Sequence, residues 1–215
     1  MSTFLWGASA AGSEGWLNLA LKRGLVLASG SPRRAGLLTL LGIPFEVRPS
    51  DITEEAGEPD PGARALSLAG AKARAVAKMF GGGLVLGADT EVVLDGDILG
   101  KPSGPDEALK MLLSLRGRTH EVLTGMCLLD GPSGISCSAV ERTLVTMRPF
   151  SDAEASAYAG GGDPLDKAGG YGIQGPAAVL VSRVEGCFYN VVGLPLSRLV
   201  EMMEEMIVKL KGRSE

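Results

Sequence analysis

The residues best suited to chemistry fall in four short stretches. In residues 25–41, LVLASGSPRRAGLLTLL, two hydroxyl residues flank a glycine (Ser29-Gly30-Ser31), and Arg33 and Arg34 follow directly. Guanidinium forks suit phosphate oxygens, and a helix that starts at such a turn leaves backbone N–H groups open to an anion. The chemistry indicated is phosphate binding; the alternative is an ordinary strand-to-helix turn with two solvated arginines. The second stretch is Gly87-Ala88-Asp89-Thr90, with Gly100-Lys101-Pro102 shortly after. A carboxylate that follows an apolar strand and a lysine on the returning strand would face each other at the mouth of a cleft. Taken singly, Asp89 also fits a turn or cap aspartate and Lys101 a solvated edge lysine. The third stretch, PLDKAGGYGIQG at residues 164–175, holds four glycines, the Asp166-Lys167 pair and Gln174. Glycines let backbone approach a ligand, the pair suits a metal or phosphates, and a glutamine amide can pair with a base edge. A flexible linker is the alternative, although Tyr171 and Ile173 argue for a packed loop. The fourth, Asp51, Glu54, Glu55 and Glu58, reads on its own as a solvated acidic loop.

Positioning these residues requires alternating strands and helices. Residues 25–28 and 84–86 are apolar runs that read as buried strands, and 45–47 reads as another. Ser31 fits a helix N-cap with Pro32 at the first helical position. Leu37, Leu38, Leu40 and Leu41 form the apolar side of that helix. A longer helix spans about 61–80, with Lys72 among its alanines and leucines, and Gly81-Gly82-Gly83 ends it. After residues 84–86 the chain runs through Asp89, continues at 92–94, turns at Asp95-Gly96 and returns at 98–99, a hairpin signal. A helix over about 105–115 precedes two antiparallel strands near 120–129 and 138–147. Ser151 and Glu154 have capping-box spacing. Residues 179–184 read as a strand, and a last helix from about 190 to 211 turns Leu196, Leu199, Val200, Met203 and Ile207 inward. His120, the only histidine, reads as a structural or supporting residue. Trp6, Trp16, Leu17 and Leu21 suggest a short amphipathic helix before residue 24.

At 215 residues one domain is the expectation. It is placed at 24–212, with 1–23 as an N-terminal extension. A net charge of −4 disfavours a broad footprint for nucleic acid, and no apolar stretch is long enough to span a bilayer. Cys127, Cys137 and Cys187 lack metal-ligand spacing and number an odd three, so a zinc site is disfavoured and a reducing cytoplasm expected. Neither a GxGxxG after a strand nor a GxxxxGK[ST] occurs.

Taken together, LASGSPRR, GADTEVVLDGDILGKP, HEVLTG, PLDKAGGYGIQG and NVVGLPL, in that order, resemble the Maf family, known both as septum formation inhibitors and as nucleoside triphosphate pyrophosphatases. The resemblance implies an α/β fold, a mixed, twisted, elongated sheet flanked by helices around a central nucleotide cleft, as in inosine triphosphatase-like proteins. It also implies a homodimer that hydrolyses a nucleoside triphosphate to monophosphate and pyrophosphate with a divalent cation, Mg²⁺ or Mn²⁺. By the same resemblance Arg33 binds the triphosphate, with Ser29 and Ser31 lining its loop. Lys72 and Lys101 contact phosphates, Lys101 within the catalytic set. Glu54 is a metal or water ligand, and Asp89 is the general base or a metal ligand. Thr90 and Gln174 select the base and resemble the subgroup that acts on dTTP and UTP rather than on 7-methyl-GTP. Two departures are Ser67, where the family often has arginine, and Gly170, where alanine is common. The older family name implies an alternative, a division regulator acting by protein binding.

Overall fold

The computed structural model describes residues 15–53 and 57–213. A short helix, α1 (Trp16–Arg23), packs Trp16, Leu17 and Leu19 against the main core. Leu21, expected on its apolar side, is exposed, and Ala20 is the fully buried residue. Strand β1 (Leu25–Leu27) is buried along its length, and Ser31 then caps α2 (Pro32–Leu40) by accepting the Arg34 N–H. Leu37 and Leu38 of α2 are buried, whereas Leu40 points to solvent. Strand β2 (Phe45–Val47) lies parallel to β1. The 20-residue α3 (Pro61–Phe80), capped by Asp60 and stopped at Gly81 in the left-handed conformation, leads to β3 (Leu84–Leu94). Parallel strands need such crossovers, and here α2 and α3 supply them.

The 11 residues of β3 form one continuous strand, so Asp89 lies mid-strand and not at a strand end as the sequence suggested. Pairing along one edge keeps the chain extended through Gly87-Ala88-Asp89-Thr90. On one edge β3 pairs along residues 84–93 with antiparallel β5 (Thr119–Asp130). On the other edge β1 takes Leu84–Leu86 and the short hairpin strand β4 (Asp97–Leu99) takes Val92–Leu94. Residues 87–91 therefore have no strand beside them on that edge, at the point where β1 ends and α2 begins. Breaks of this kind at the carboxyl ends of parallel strands are where α/β sheets bind ligands.

The remaining elements close the sheet. Helix α4 (Pro105–Leu115) precedes β5; β6 (Ser136–Met147) pairs antiparallel with β5, and β7 (Val181–Glu185) with β6. The sheet order is β2-β1-β3-β5-β6-β7, with β4 beside β3. Helix α5 (Asp152–Ala159) starts at the Ser151/Glu154 capping box. The glycine-rich stretch forms two successive 3-10 turns, Asp163–Asp166 and Ala168–Gly170, with Tyr171 and Ile173 buried, a packed loop rather than a linker. A third, Pro176–Leu180, takes the place of the first residues of the expected strand at 179–184, because Pro176 opens a tight turn. The expected last helix is two: α6 (Phe188–Val192) and α7 (Leu196–Lys211), separated by Gly193 in the left-handed region and Pro195. On α7 the inward side is Leu196, Leu199, Met202, Met203 and Met206, with Val200 and Ile207 only partly buried.

Two glycines decide how closely α3 lies on the sheet. A Cβ on Gly87 would stand 2.1 Å from the Ala69 carbonyl oxygen, and one on Gly125 would stand 2.3 Å from the Ala65 carbonyl carbon. Only hydrogen at both positions lets the helix backbone rest directly on β3 and β5. Val26, Ala28, Val85 and Cys127 pack with Ala69, Ala73 and Val76 on this face. The larger cluster, with Leu27, Leu86, Ala88, Leu112 and Met202, fills the opposite face.

Candidate active site

Alternation along β3 sends Asp89 and Glu91 to the α3 face, the face of Gly87, and Thr90 to the other. Because α3 is pressed onto that face, Lys72, one turn beyond Leu68 and Ala69, reaches Asp89. Lys72 Nζ donates to Asp89 Oδ1 at 2.6 Å, and each side chain is 11% exposed. Asp89 Oδ2 makes no hydrogen bond among the described residues. Two residues on, Arg64 Nε donates to Glu91 Oε1 at 2.7 Å, from the first turns of the same helix. Across the strand, Arg34 ties three elements together: Nε donates to the Gly193 carbonyl at 2.8 Å, Nη1 to Ser29 Oγ at 3.1 Å and Nη2 to Thr90 Oγ1 at 2.9 Å.

The 3-10 turns form the rim. Arg33 Nη1 donates to Asp166 Oδ2 at 2.7 Å. Lys167 Nζ donates to Asp166 Oδ1 at 2.7 Å and to Asp163 Oδ1 at 3.1 Å. Asp163 Oδ2 accepts from Tyr158 at 2.6 Å. Partial burial works upward on the Asp166 carboxyl, but hydrogen bonds from Lys167 and Arg33 outweigh it and hold it down to about 2. Asp163 is lowered in the same way, its desolvation outweighed by Tyr158 and Lys167. The Tyr158 hydroxyl is raised by burial and by donating to Asp163. Beneath the rim, His120 Nε2 and the Tyr171 hydroxyl are 2.7 Å apart, with their rings edge to face. Burial pushes His120 down to about 4 and the Tyr171 hydroxyl far up. His120 therefore has the structural place expected of it.

These groups surround one cavity of about 780 Å³. Ser29, Ser31, Arg33, Lys72, Asp89, Thr90, Lys101 and Gln174, scattered over residues 29–174 of the chain, all line it. Glu54 lies outside the described residues. Lys101 and Gln174 are exposed at its edge, and Lys101 makes no ion pair among the described residues. Among the described residues, six cationic side chains and four carboxylates line the space, a local cationic excess in a protein of net charge −4. Such a pocket favours a polyanion that a uniformly acidic surface would repel.

Sequence reasoning missed Arg64 and Glu91. Their spacing was the available signal: Glu91 is two residues beyond Asp89 on a strand, hence on the same face. It also missed that Arg34 braces Ser29, Thr90 and Gly193, because those partners are far apart in sequence.

A divalent cation fits the donor set that is present. Mg²⁺ is ordinarily held by one or two carboxylates together with substrate phosphates, not by a full protein cage. Asp89 offers one such carboxylate, with an oxygen not engaged by Lys72, on the cavity wall. Among the described residues no cluster of three or more His, Cys, Asp or Glu could hold an ion without a ligand.

The family model described as Maf-like protein matches residues 24–206. A dTTP/UTP pyrophosphatase of Moorella thermoacetica is 50% identical over 190 residues, covering 88% of this chain and 98% of the relative. One of Ruminiclostridium cellulolyticum is 45% identical over 190 residues, 87% of this chain and 98% of the relative. One of Deinococcus radiodurans is 47% identical over 179 residues, 83% and 91% respectively.

Proposed function

The chain belongs to the Maf-like protein family, and from that premise we propose that it hydrolyses dTTP and UTP to the nucleoside monophosphate and pyrophosphate. The observation that carries this reading is the convergence of the phosphate-suited Ser29–Arg33 loop, the buried Lys72–Asp89 pair and Gln174 on one cationic cavity. A triphosphate brings about four negative charges, which Arg33, Lys72, Lys101 and the α2 N-terminus are suited to receive. Thr90 and Gln174 face the base.

Asp89 is the general base. Its Oδ2 takes a proton from a water molecule, and the water oxygen forms a bond to the α-phosphorus. The bond from that phosphorus to the bridging oxygen breaks on the opposite side, and pyrophosphate leaves with the bonding pair. Lys72, fixed on Oδ1, orients the carboxylate, while Arg33 and Lys101 stabilise charge on the departing oxygens. Asp89, with Glu54 from the acidic stretch of the sequence, would hold a divalent ion, Mg²⁺ or Mn²⁺. When bound, the ion neutralises phosphate charge and polarises the phosphorus centre. The same reading carries a homodimer and a cytoplasmic location. The free and buried Cys127 and Cys137 suit a reducing compartment, and no helix among the described residues is long and apolar enough to cross a membrane.

The test is a nucleotide panel with Mg²⁺ or Mn²⁺ in which pyrophosphate and orthophosphate are measured separately. Pyrophosphate from dTTP and UTP, with little from 7-methyl-GTP, is the expected result. Release of orthophosphate alone, or pyrophosphate mainly from 7-methyl-GTP, would overturn the reaction or the base preference respectively.

A further inference from the structure

Two ion pairs join α3 to β3 side by side, and the mechanism above uses only one of them. Lys72 meets Asp89; Arg64, earlier on the helix, meets Glu91, the next residue on the same face of the strand. The Glu91 side chain is 8% exposed, so its charge is held to a partner. It holds Arg64 by one nitrogen: Nε donates to Glu91 Oε1 at 2.7 Å, while Nη1 and Nη2 make no hydrogen bond among the described residues. The Arg64 side chain lines the cavity. Arg34 differs, since its Nε, Nη1 and Nη2 are engaged by Gly193, Ser29 and Thr90 and make it a brace. Arg64 is a guanidinium fixed at its base, with a pair of terminal donors left for the cavity. Two such nitrogens at fixed spacing suit two oxygens of one phosphoryl group.

The place of Arg64 along the cavity says which phosphoryl group. By the rise of a strand, Glu91 stands about 6.6 Å beyond Asp89. The pairing of Val92 with Leu99 then brings β4 beside β3, and Lys101 follows directly on that strand's end. Along the open edge of β3 the cations succeed one another as Lys72 at Asp89, Arg64 at Glu91 and Lys101 beyond it, all on the cavity wall. In a displacement begun by a water at Asp89, the leaving group departs on the side away from that water, and the two later cations lie further along the strand in that direction. We propose that Arg64 binds the departing pyrophosphate. Its terminal nitrogens donate to oxygens of the β-phosphoryl group as the bond from the α-phosphorus to the bridging oxygen breaks and that oxygen keeps the electron pair. The inference rests on the reading above that Asp89 activates the water and pyrophosphate leaves, and it adds a residue to which that reading gave no part.

The experiment measures, by calorimetry, binding of the two products separately, inorganic pyrophosphate and UMP, to the wild-type protein, Arg64→Gln and Arg64→Lys. Turnover of UTP is followed in parallel. Arg64→Gln is expected to weaken pyrophosphate binding about tenfold or more and to leave UMP binding within about threefold. Its kcat/KM on UTP should fall about 10- to 100-fold. Arg64→Lys keeps the charge without the paired donors, so its pyrophosphate affinity should lie between those of the other two. Should Arg64→Gln fail to fold because Glu91 is left buried without its partner, Glu91→Gln is compared with the double variant Arg64→Gln/Glu91→Gln, in which no charge is stranded. The same tenfold difference in pyrophosphate binding is expected there. Pyrophosphate binding that does not change on loss of Arg64, or that weakens no more than UMP binding as a general structural role would have it, overturns the proposal. So does a wild-type protein that binds no pyrophosphate. If wild type releases no pyrophosphate from UTP yet binds it with this dependence on Arg64, the pyrophosphatase reading fails and Arg64 stands as a pyrophosphate contact.

Discussion

The floor and the rim of the cavity are both built from ion pairs, yet by opposite means. At the floor, Lys72 and Asp89 sit on a 20-residue helix and an 11-residue strand, each side chain 11% exposed. At the rim, Arg33 and Asp166 are 28% and 60% exposed, and Asp166 stands on a 3-10 turn. A buried pair with one member removed leaves an uncompensated charge, whereas an exposed pair exchanges its partner for water at little cost. The floor is thus suited to hold one reacting geometry, and the rim to release Arg33 from Asp166 when phosphate oxygens compete for it. Rigid elements carry the group that must be placed accurately; turns carry the groups that must change partners.

The largest effect expected from breaking the floor is on chemistry. Asp89→Asn keeps the shape and the contact with Lys72 but cannot take a proton. Its kcat on UTP should fall about 10²–10⁴-fold, with binding of a non-hydrolysable analogue kept within a few-fold. Near-normal kcat in this variant would remove Asp89 from the role of base and with it the distinction between floor and rim.

Between the two regions, His120 supports the rim from below through Tyr171. Its folded value of about 4 lies below the usual 6.5, so the unfolded chain binds the proton more readily. Stability is therefore complete above about pH 6.5 and falls as pH drops toward about 4, by about 3 kcal/mol in all. His120→Phe should flatten that part of the pH–stability curve measured by urea unfolding. An identical slope in the variant would place the acid sensitivity elsewhere.

The close approach of α3 to the sheet can be tested by overpacking. Gly87→Ala sets a methyl against the Ala69 carbonyl, so helix or strand must shift. A loss of about 1–3 kcal/mol in urea unfolding is expected, with activity falling further than stability because Lys72 moves away from Asp89. An unaffected kcat would show that the floor does not depend on this contact.

How much of this was legible in the sequence follows the range of the interactions. Ser31, Pro32 and the Ser151/Glu154 box were readable because a cap is settled within four residues. The strand at 45–47 and the helix at 61–80 were readable from apolar patterning and from the glycines that end the helix. The continuity of β3 was not, because Gly87 and Asp89 have low strand propensity and only pairing with β5 holds them extended. The join of α6 and α7 was misread as one helix, although Gly193 and Pro195 were visible. In the site, the resemblance gathered residues that local reasoning left as separate possibilities. The contacts of Arg34 with Thr90 and Gly193, and of His120 with Tyr171, span 56, 159 and 51 residues, and no local pattern encodes them. Glu54, the remaining candidate, lies outside the described residues.

The smallest effect is expected at the rim itself, and it is the one that sharpens the contrast most. Asp166→Asn removes the carboxylate that Arg33 and Lys167 share, in an exposed position where each pair contributes little to stability. Unfolding in urea should therefore change by no more than a few tenths of a kcal/mol at neutral pH. The folded Asp166 carboxyl titrates at about 2, below its ordinary 3.8, so what it contributes is present above about pH 4 and is lost only as pH falls through about 2. Across the working range it is an ionised competitor for Arg33. Removing it should free the arginine and lower KM for UTP about two- to threefold, with kcat little changed and the gain shrinking as salt is raised. A variant with KM raised instead would mean that Asp166 orders the rim for substrate. The rim would then resemble the floor, a fixed geometry and not an exchangeable one.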